Sequence, residues 1–290
     1  MKKNKIVENI AYIVFLIFGM LTIACVLLIT VYLIVSGIPA IKEIGLINFL
    51  FGKKWASTAQ EPSFGILPFI LTSVYGTAAA TVLAVPVGLL SSIYISRYAN
   101  KKVRLVIESF INMLASIPSV VVGLIGMVVL VPTVAKVFSL SDGATLASAI
   151  VVLTIMILPN VIKVSVTSLD AVKKEYEDGS IALGATKEET IIKVTIPKAK
   201  SGIASAIVLA IGRAIGEAMA VVMVSGNVAN MPTLFDSVRF LTTAISSEMS
   251  YASVGSLQRN ALFSIALVLY VFIMLINAFL NIFLKKGQEN

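Results

Sequence analysis

Histidine is absent from these 290 residues, and cysteine occurs once, at Cys25. Neither a disulfide nor a Cys/His metal cluster can be built from such a chain, and Cys25, inside the first apolar run, reads as a small packing residue. Charge is scarce as well: 13% of residues are charged, 58% are apolar, and the mean hydropathy is +0.98. That makeup excludes an ordinary soluble domain. The phosphate-cradling string G-x-x-x-x-G-K-[ST] is missing too. Its nearest approach, Gly184-Ala-Thr-Lys187, has the wrong spacing, so the chain does not bind ATP in that manner by itself. With no histidine, no metal constellation and no serine beside a plausible base, an intramembrane enzyme finds no support.

The apolar residues gather into runs of about 20 or more, long enough to cross a bilayer as helices that satisfy their own backbone hydrogen bonds. Six spans are expected, at 10–35, 66–95, 105–131, 144–166, 202–225 and 261–284. The first run is longer than the core of a signal peptide, about 7 to 15 residues, and reads as a retained membrane helix. Pro68 and Pro86 in the second span and Pro118 in the third predict kinks. Gly123 and Gly126 predict close helix approach.

The formal charge of +8 and pI near 9.5 suggest a polyanionic partner at first sight. The lysines and arginines lie between apolar runs, however, and not on one soluble face, which argues against nucleic acid and for retention of cationic loops on the cytoplasmic side. With the N-terminus inside and sides alternating, 16 Lys and Arg fall inside and six outside, and Arg213 falls within the fifth span. Both termini are therefore expected in the cytoplasm. The chain divides into a cytoplasmic N-terminus (1–9), a first helix with its outer loop (10–65), a core of five helices (66–284) containing an inner loop (168–200), and a cytoplasmic C-terminus (285–290). The outer loops, with Trp55, Pro62 and Pro232, are expected to form short interfacial helices that close the outer mouth.

The inner loop predicts two short amphipathic helices meeting at Gly184, where glycine can end the first in the left-handed conformation. Thr186 and Glu189 form a capping box for the second, and Pro197 is expected to end it. The fifth span carries Arg213 and Glu217 near the bilayer centre, where each ionised group costs roughly 2.5 to 3.5 kcal/mol on insertion scales. At i and i+4 the two share a face and can pair, with Gly212 and Gly216 permitting close packing. One reading is a structural ion pair that locks the helix to its neighbours. The other is an anion path in which Arg213 offers a fork of donors to oxyanion oxygens and Glu217 limits how tightly the anion is held.

The segment Asp178-Gly-Ser-Ile-Ala-Leu-Gly184, followed ten residues later by Val194 and then Ile196-Pro197, resembles the EAA loop of ATP-binding-cassette importer permeases. In that family the loop is a coupling helix that docks on a separate ATPase. The string Gly212-Arg-Ala-Ile-Gly-Glu-Ala-Met-Ala-Val221, with Gly226-Asn227 beyond, resembles the fifth-helix signature of phosphate importer permeases of the PstC type. Trp55, Phe64-Gly-Ile-Leu-Pro68, Gly76-Thr77, Ala84-Val-Pro86 and Ala182-Leu-Gly-Ala-Thr186 agree with it, so the resemblance spans essentially the whole chain. It departs at Asp178 and Gly179 and at Ala218, where threonine is expected.

The resemblance implies an all-α membrane protein of the type I, MetI-like permease fold with a cytoplasmic coupling helix. It implies a transport subunit and not an enzyme, residing in the bacterial plasma (inner) membrane and moving inorganic phosphate from an extracytoplasmic binding protein to the cytoplasm. Arg213, Glu217 and Asn227 would line the substrate pathway. Asp178, Gly179, Ser180, Leu183, Gly184, Ala185, Ile196 and Pro197 would serve coupling. The implied partners are a second permease of the PstA type forming a heterodimer, two ATPase subunits of the PstB type and a phosphate-binding protein of the PstS type. The chain itself would bind no cofactor, ATP and Mg residing on the ATPase. An importer permease for another oxyanion, sulfate or molybdate, remains a rival on residue types. An ion-coupled secondary transporter is a remoter one, because no internal repeat is visible.

Overall fold

A computed structural model describes residues 2–286, with side chains over 8–279. Thirteen helices and one small hairpin make up the described chain. Helix α1 (Lys2–Ile44) is followed by α2 (Leu46–Phe51) and by a two-stranded antiparallel ribbon, β1 (Trp55–Ala56) and β2 (Ser63–Phe64), with Trp55 opposite Phe64. Next come α3 (Leu67–Ile93), which runs into a π turn at Tyr94–Tyr98, then α4 (Lys101–Ser116) and α5 (Ser119–Ile125). After a π turn at Gly126–Leu130 follow α6 (Val131–Val137) and α7 (Leu146–Asp170). The loop helices are α8 (Lys174–Ala182) and α9 (Lys187–Thr190); a π turn at Ile191–Thr195 then joins α9 to α10 (Ile196–Gly216). The last three are α11 (Met219–Val224), α12 (Leu241–Glu248) and α13 (Leu257–Lys286).

Six stretches are long and apolar enough to cross a membrane: Glu8–Ile44, Leu67–Tyr98, Ser119–Val137, Leu146–Asp170, Lys187–Gly216 and Leu257–Phe279. Helix α7 is the hub. Fourteen of its residues are buried, and it packs on α3, α10 and α11. Small residues set the distances: a Cβ at Gly88 would lie 2.6 Å from Val161, and one at Gly202 would lie 2.1 Å from Ser168 Oγ. By contrast, α1 meets the rest of the bundle mainly along α13. There Ser264 donates to the Gly37 carbonyl at 2.6 Å, Thr30 donates to Tyr270 at 3.0 Å, and Tyr32 stands edge-on to Phe263. The spans alternate in direction. Both ends of the described chain lie at the end of the bundle that carries α8 and α9, called here the loop end; the hairpin and α12 lie at the opposite, far end.

Several expectations are corrected. The first span continues past 35 to Ile44, with Pro39 inside the helix. The third is not one kinked helix over 105–131. Ile117, forced into an extended conformation before Pro118, separates α4 from α5, and the candidate span runs from Ser119 to Val137. In the second, Pro68 sits in the first helical turn and Pro86 lies inside an uninterrupted α3. Pro197 does not end the loop helix. It falls in the first turn of α10, and the π turn at Ile191–Thr195 just before it widens the helix where the proline supplies no N–H. The same device precedes Pro132. Short helices do form at the far end, α2 and α12, but Trp55 belongs to the ribbon, and Pro62 and Pro232 to irregular chain. Cys25 is exposed on α1 and belongs to none of the buried apolar clusters among the described residues.

Candidate functional site

The fifth span breaks where sequence spacing predicts an ion pair. Helix α10 stops at Gly216; Glu217 is extended (φ −72°, ψ 128°), and α11 begins only at Met219. The break removes the helical i, i+4 relation between Arg213 and Glu217, and no ion pair joins them, so the expected pairing is corrected. Glu217 instead turns its carboxylate to the start of α11 and accepts the Ala220 N–H at 3.1 Å, the bond an N-terminal cap makes. Its carbonyl accepts from Thr242 at 2.7 Å, which ties the break to α12. Arg213 is exposed and, among the described residues, has no hydrogen-bond or salt-bridge partner. A Cβ at Gly212 or Gly216 would meet nothing within 4 Å, so the predicted packing role of these glycines is not met inside this chain. The face of α10 bearing Arg213 is open.

Gly123 and Gly126 do provide close approach. A Cβ on Gly123 would lie 2.7 Å from the Ala220 Cα, and one on Gly126 would lie 2.8 Å from Val224, so α5 and the π turn after it press directly on α11. Beyond α11 the chain enters the left-handed region at Gly226 and at Asn227 (φ 54°). The Asn227 carbonyl accepts two bonds from Arg239, at 2.9 and 2.7 Å, while its own Oδ1 is buried without a partner. Arg239 also pairs with Glu248, each side chain 17% exposed. Glu248 further accepts from Trp55 Nε1 and Ser57 Oγ, both at 2.9 Å, and from Gln258 at 3.2 Å. One carboxylate thus ties the ribbon, α12 and the start of α13 together. Arg239 and Glu248 belong to none of the motifs read from the sequence.

At the loop end the two predicted helices are present. Gly184 ends the first at φ +91°, and Thr186 and Glu189 make the reciprocal capping box, at 3.2 and 3.1 Å. Asp178, Gly179 and Ser180 lie on α8. Ser180 Oγ accepts from Thr190 at 3.0 Å, joining the two helices, and Asp178 and Gly179 are exposed. Leu183 is 91% exposed, with Ile181 and Ile192 exposed nearby, and Gly184 and Ala185 complete an uncovered apolar tip. Ile196 and Pro197 sit apart from that tip, in the first turn of α10.

A charged network that sequence reasoning missed lies behind this tip. Arg97, in the π turn after α3, pairs with Glu177 of α8 at 2.7 Å and with Asp170, the last residue of α7, at 3.4 Å. It also donates to the Leu169 carbonyl at 2.6 Å. Thr195 donates to Glu177 at 2.9 Å, and Ser96 donates to Asp170. Arg104 of α4 pairs with Asp170 at 2.6 Å and with Glu108 at 2.8 Å; its bond to Asp170 holds the guanidinium above its ordinary pKa. Among the described residues no group of three or more His, Cys, Asp or Glu stands together to hold a metal ion.

The open arginine and the exposed loop tip suit a subunit of a larger transport assembly, and comparison with known proteins agrees. Residues 84–286 match the model of the binding-protein-dependent transport system inner membrane component. The chain is 38% identical over 265 residues to a probable ABC transporter permease protein, YqgH, of Bacillus subtilis, covering 89% of this chain and 86% of that one. It is 32% identical over 244 residues to the phosphate transport system permease protein PstC of Pasteurella multocida, covering 77% and 75%. With the PstC of Haemophilus influenzae it shares 28% identity over 293 residues, covering 94% and 91%. Among solved structures, a MetNI methionine ABC transporter in an inward-facing conformation matches with TM-score 0.58 at 21% identity, covering 77% and 94%. A bacterial alginate ABC transporter matches with TM-score 0.61 at 15% identity, covering 93% and 92%; both likenesses concern the fold. This chain therefore belongs to the binding-protein-dependent transport inner membrane components: it is the multi-pass permease subunit of an ABC importer, a transport component and not an enzyme, working with a second permease, an ATPase and a substrate-binding protein.

Proposed function

We propose that this permease carries inorganic phosphate into the cytoplasm and that Arg213 lies on the path. The observation that carries the reading is an arginine in the last turn of α10, where the fifth span breaks, on an open helix face, with no neutralising partner among the described residues. Burying such a charge is costly, so it must face water, a partner subunit or an anion. A guanidinium fork matches tetrahedral oxyanion oxygens. The names of the PstC relatives favour phosphate among oxyanions. Glu217, released from Arg213 by the break, keeps a negative charge near the path and limits the residence of the anion. Asn227 lies on the same path beyond α11.

In this reading the loop end is cytoplasmic, in accord with 16 Lys and Arg on that side against six on the other, and both termini lie there. Asp178, Gly179, Ser180, Leu183, Gly184 and Ala185 present the tip to a PstB-type ATPase, which holds the ATP and Mg; Ile196 and Pro197 pass its movement into the fifth span. A PstA-type permease covers the open face of α10, and a PstS-type protein delivers phosphate at the far end. Closure of the ATPase pair moves the loop tips and rocks the spans between two arrangements. Replacing Arg213 by Gln is expected to abolish phosphate uptake in proteoliposomes holding all subunits, with assembly unchanged. Undiminished uptake removes Arg213 from the path. If instead sulfate or molybdate competes with phosphate as well as phosphate itself does, the oxyanion rival replaces the phosphate assignment.

A further inference from the structure

Helix α8 buries none of its residues and contributes to none of the apolar clusters, so burial of hydrophobic surface does not fix its position. Its attachment is polar. Ser180 accepts from Thr190, the Lys198 ammonium stands 4.7 Å above the Tyr176 ring, and Glu177 reaches Arg97 and Thr195. The first two contacts lead only to the segment that continues into the fifth span. Among the described residues, Glu177 makes the one side-chain ion pair between α8 and the second and fourth spans, through the Arg97 guanidinium, which grips Asp170 and the Leu169 carbonyl with its remaining donors. Both members are sheltered, with 13% and 20% of their side chains exposed, so water and salt screen the pair less than a surface bridge.

We propose that Arg97 and Glu177 form a second transmission link of the importer, coupling displacement of α8 to the second and fourth spans. The first link is mechanical. From Lys187 to Gly216 the helix is unbroken, so a push at the loop tip reaches the fifth span along its backbone. The covalent route from α8 to α7 runs through the non-helical residues Ala171–Lys173. Without the ion pair α8 itself would be tied by polar contacts only to the fifth-span segment, and the loop would reach the second span only from α9, through Tyr98, which donates to Glu188 at 3.2 Å and lies 4.2 Å below the Lys187 ammonium, among the described residues. Arg97 is thus a positioning residue: it touches no substrate and sets which spans follow the loop. The proposal rests on the reading that the α8–α9 tip docks the ATPase.

The test uses the complete importer in proteoliposomes, with phosphate as the transported probe and two readouts: phosphate moved per ATP hydrolysed, and stimulation of hydrolysis by the binding protein. R97Q and E177Q are each expected to lower both readouts about tenfold, the size of a typical coupling free energy, while the ATPase still co-purifies and hydrolyses ATP. The double variant should be no worse than the more affected single one, because both singles already break the Arg97–Glu177 pair. R97K, which keeps the charge, should recover most of the loss. E175Q, an exposed neighbour on α8 with no partner among the described residues, should match the unaltered protein. Unchanged coupling in R97Q or E177Q overturns the proposal, as do losses that multiply in the double variant. Dissociation of the ATPase from R97Q also overturns it, by making the pair a brace of the docking face. Should L183D leave ATPase binding intact, the docking reading itself falls. An unaltered complex that moves no phosphate refutes the substrate assignment, and receptor stimulation of hydrolysis still decides the link.

Discussion

Two glycines set how closely the third span approaches α11, and a third has no such duty. At Gly123 the nearest obstacle to a side chain is backbone, the Ala220 Cα at 2.7 Å, which no rotamer change can relieve. Gly123→Val is therefore expected to destabilise the purified protein by about 1–3 kcal/mol, the usual cost of overpacking. Gly212→Val, on a face with nothing within 4 Å, should leave the stability of the isolated subunit nearly unchanged and act only in the assembled importer. Thermal unfolding in detergent separates the two, and equal melting temperatures for both variants would contradict this packing. The unpaired state of Arg213 belongs to the same scale. A helix-capping bond from Ala220 to Glu217 replaces the ion pair that linear spacing suggests, and the arginine is left to whatever occupies the open face.

Helix ends, more than helix middles, carry the functional geometry of the elements. The fifth span stops at Gly216, turns at Glu217 and restarts as α11; the loop helix α8 stops at Gly184 in a conformation that disfavours any side chain with a Cβ. Gly184→Ala meets no steric obstacle, yet it should cost about 1 kcal/mol of loop stability through backbone strain alone and weaken ATPase co-purification modestly. Leu183→Asp leaves the backbone unstrained but puts a charge on a 91% exposed apolar tip, and it should abolish co-purification. A pull-down with the ATPase subunit ranks the two, and the reverse order would place the docking energy elsewhere. The π turns before Pro132 and Pro197 show a further principle at this scale: a widened turn lets a helix accept a proline without stopping.

At the scale of the molecule, six alternating spans place α8 and α9 at one end and the hairpin and α12 at the other. In a C25S background, Glu175→Cys should react with a membrane-impermeant thiol reagent only in inside-out vesicles, and Val254→Cys, 86% exposed at the far end, only in right-side-out ones. Labelling of both from one side would overturn the proposed orientation. Much of this architecture is legible in the chain itself. Apolar runs of membrane length state their own presence because backbone groups in lipid must pair locally. The Gly184 stop and the Thr186–Glu189 box are equally local, since a cap involves residues three or four apart. Gly123 and Gly126 too are readable as points of close approach, although not the surfaces they meet. What only the tertiary structure decided depends on residues far apart in sequence. Arg97 meets Asp170 and Glu177 across some 70 to 80 positions, and Glu248 gathers Trp55, Arg239 and Gln258. The break at Glu217 is held by Thr242 and by the press of Gly123 on Ala220, against a local pattern that favours continuous helix. Local hydrogen bonding and hydrophobic length determine where helices can exist; packing between them determines where they break and which charges face one another.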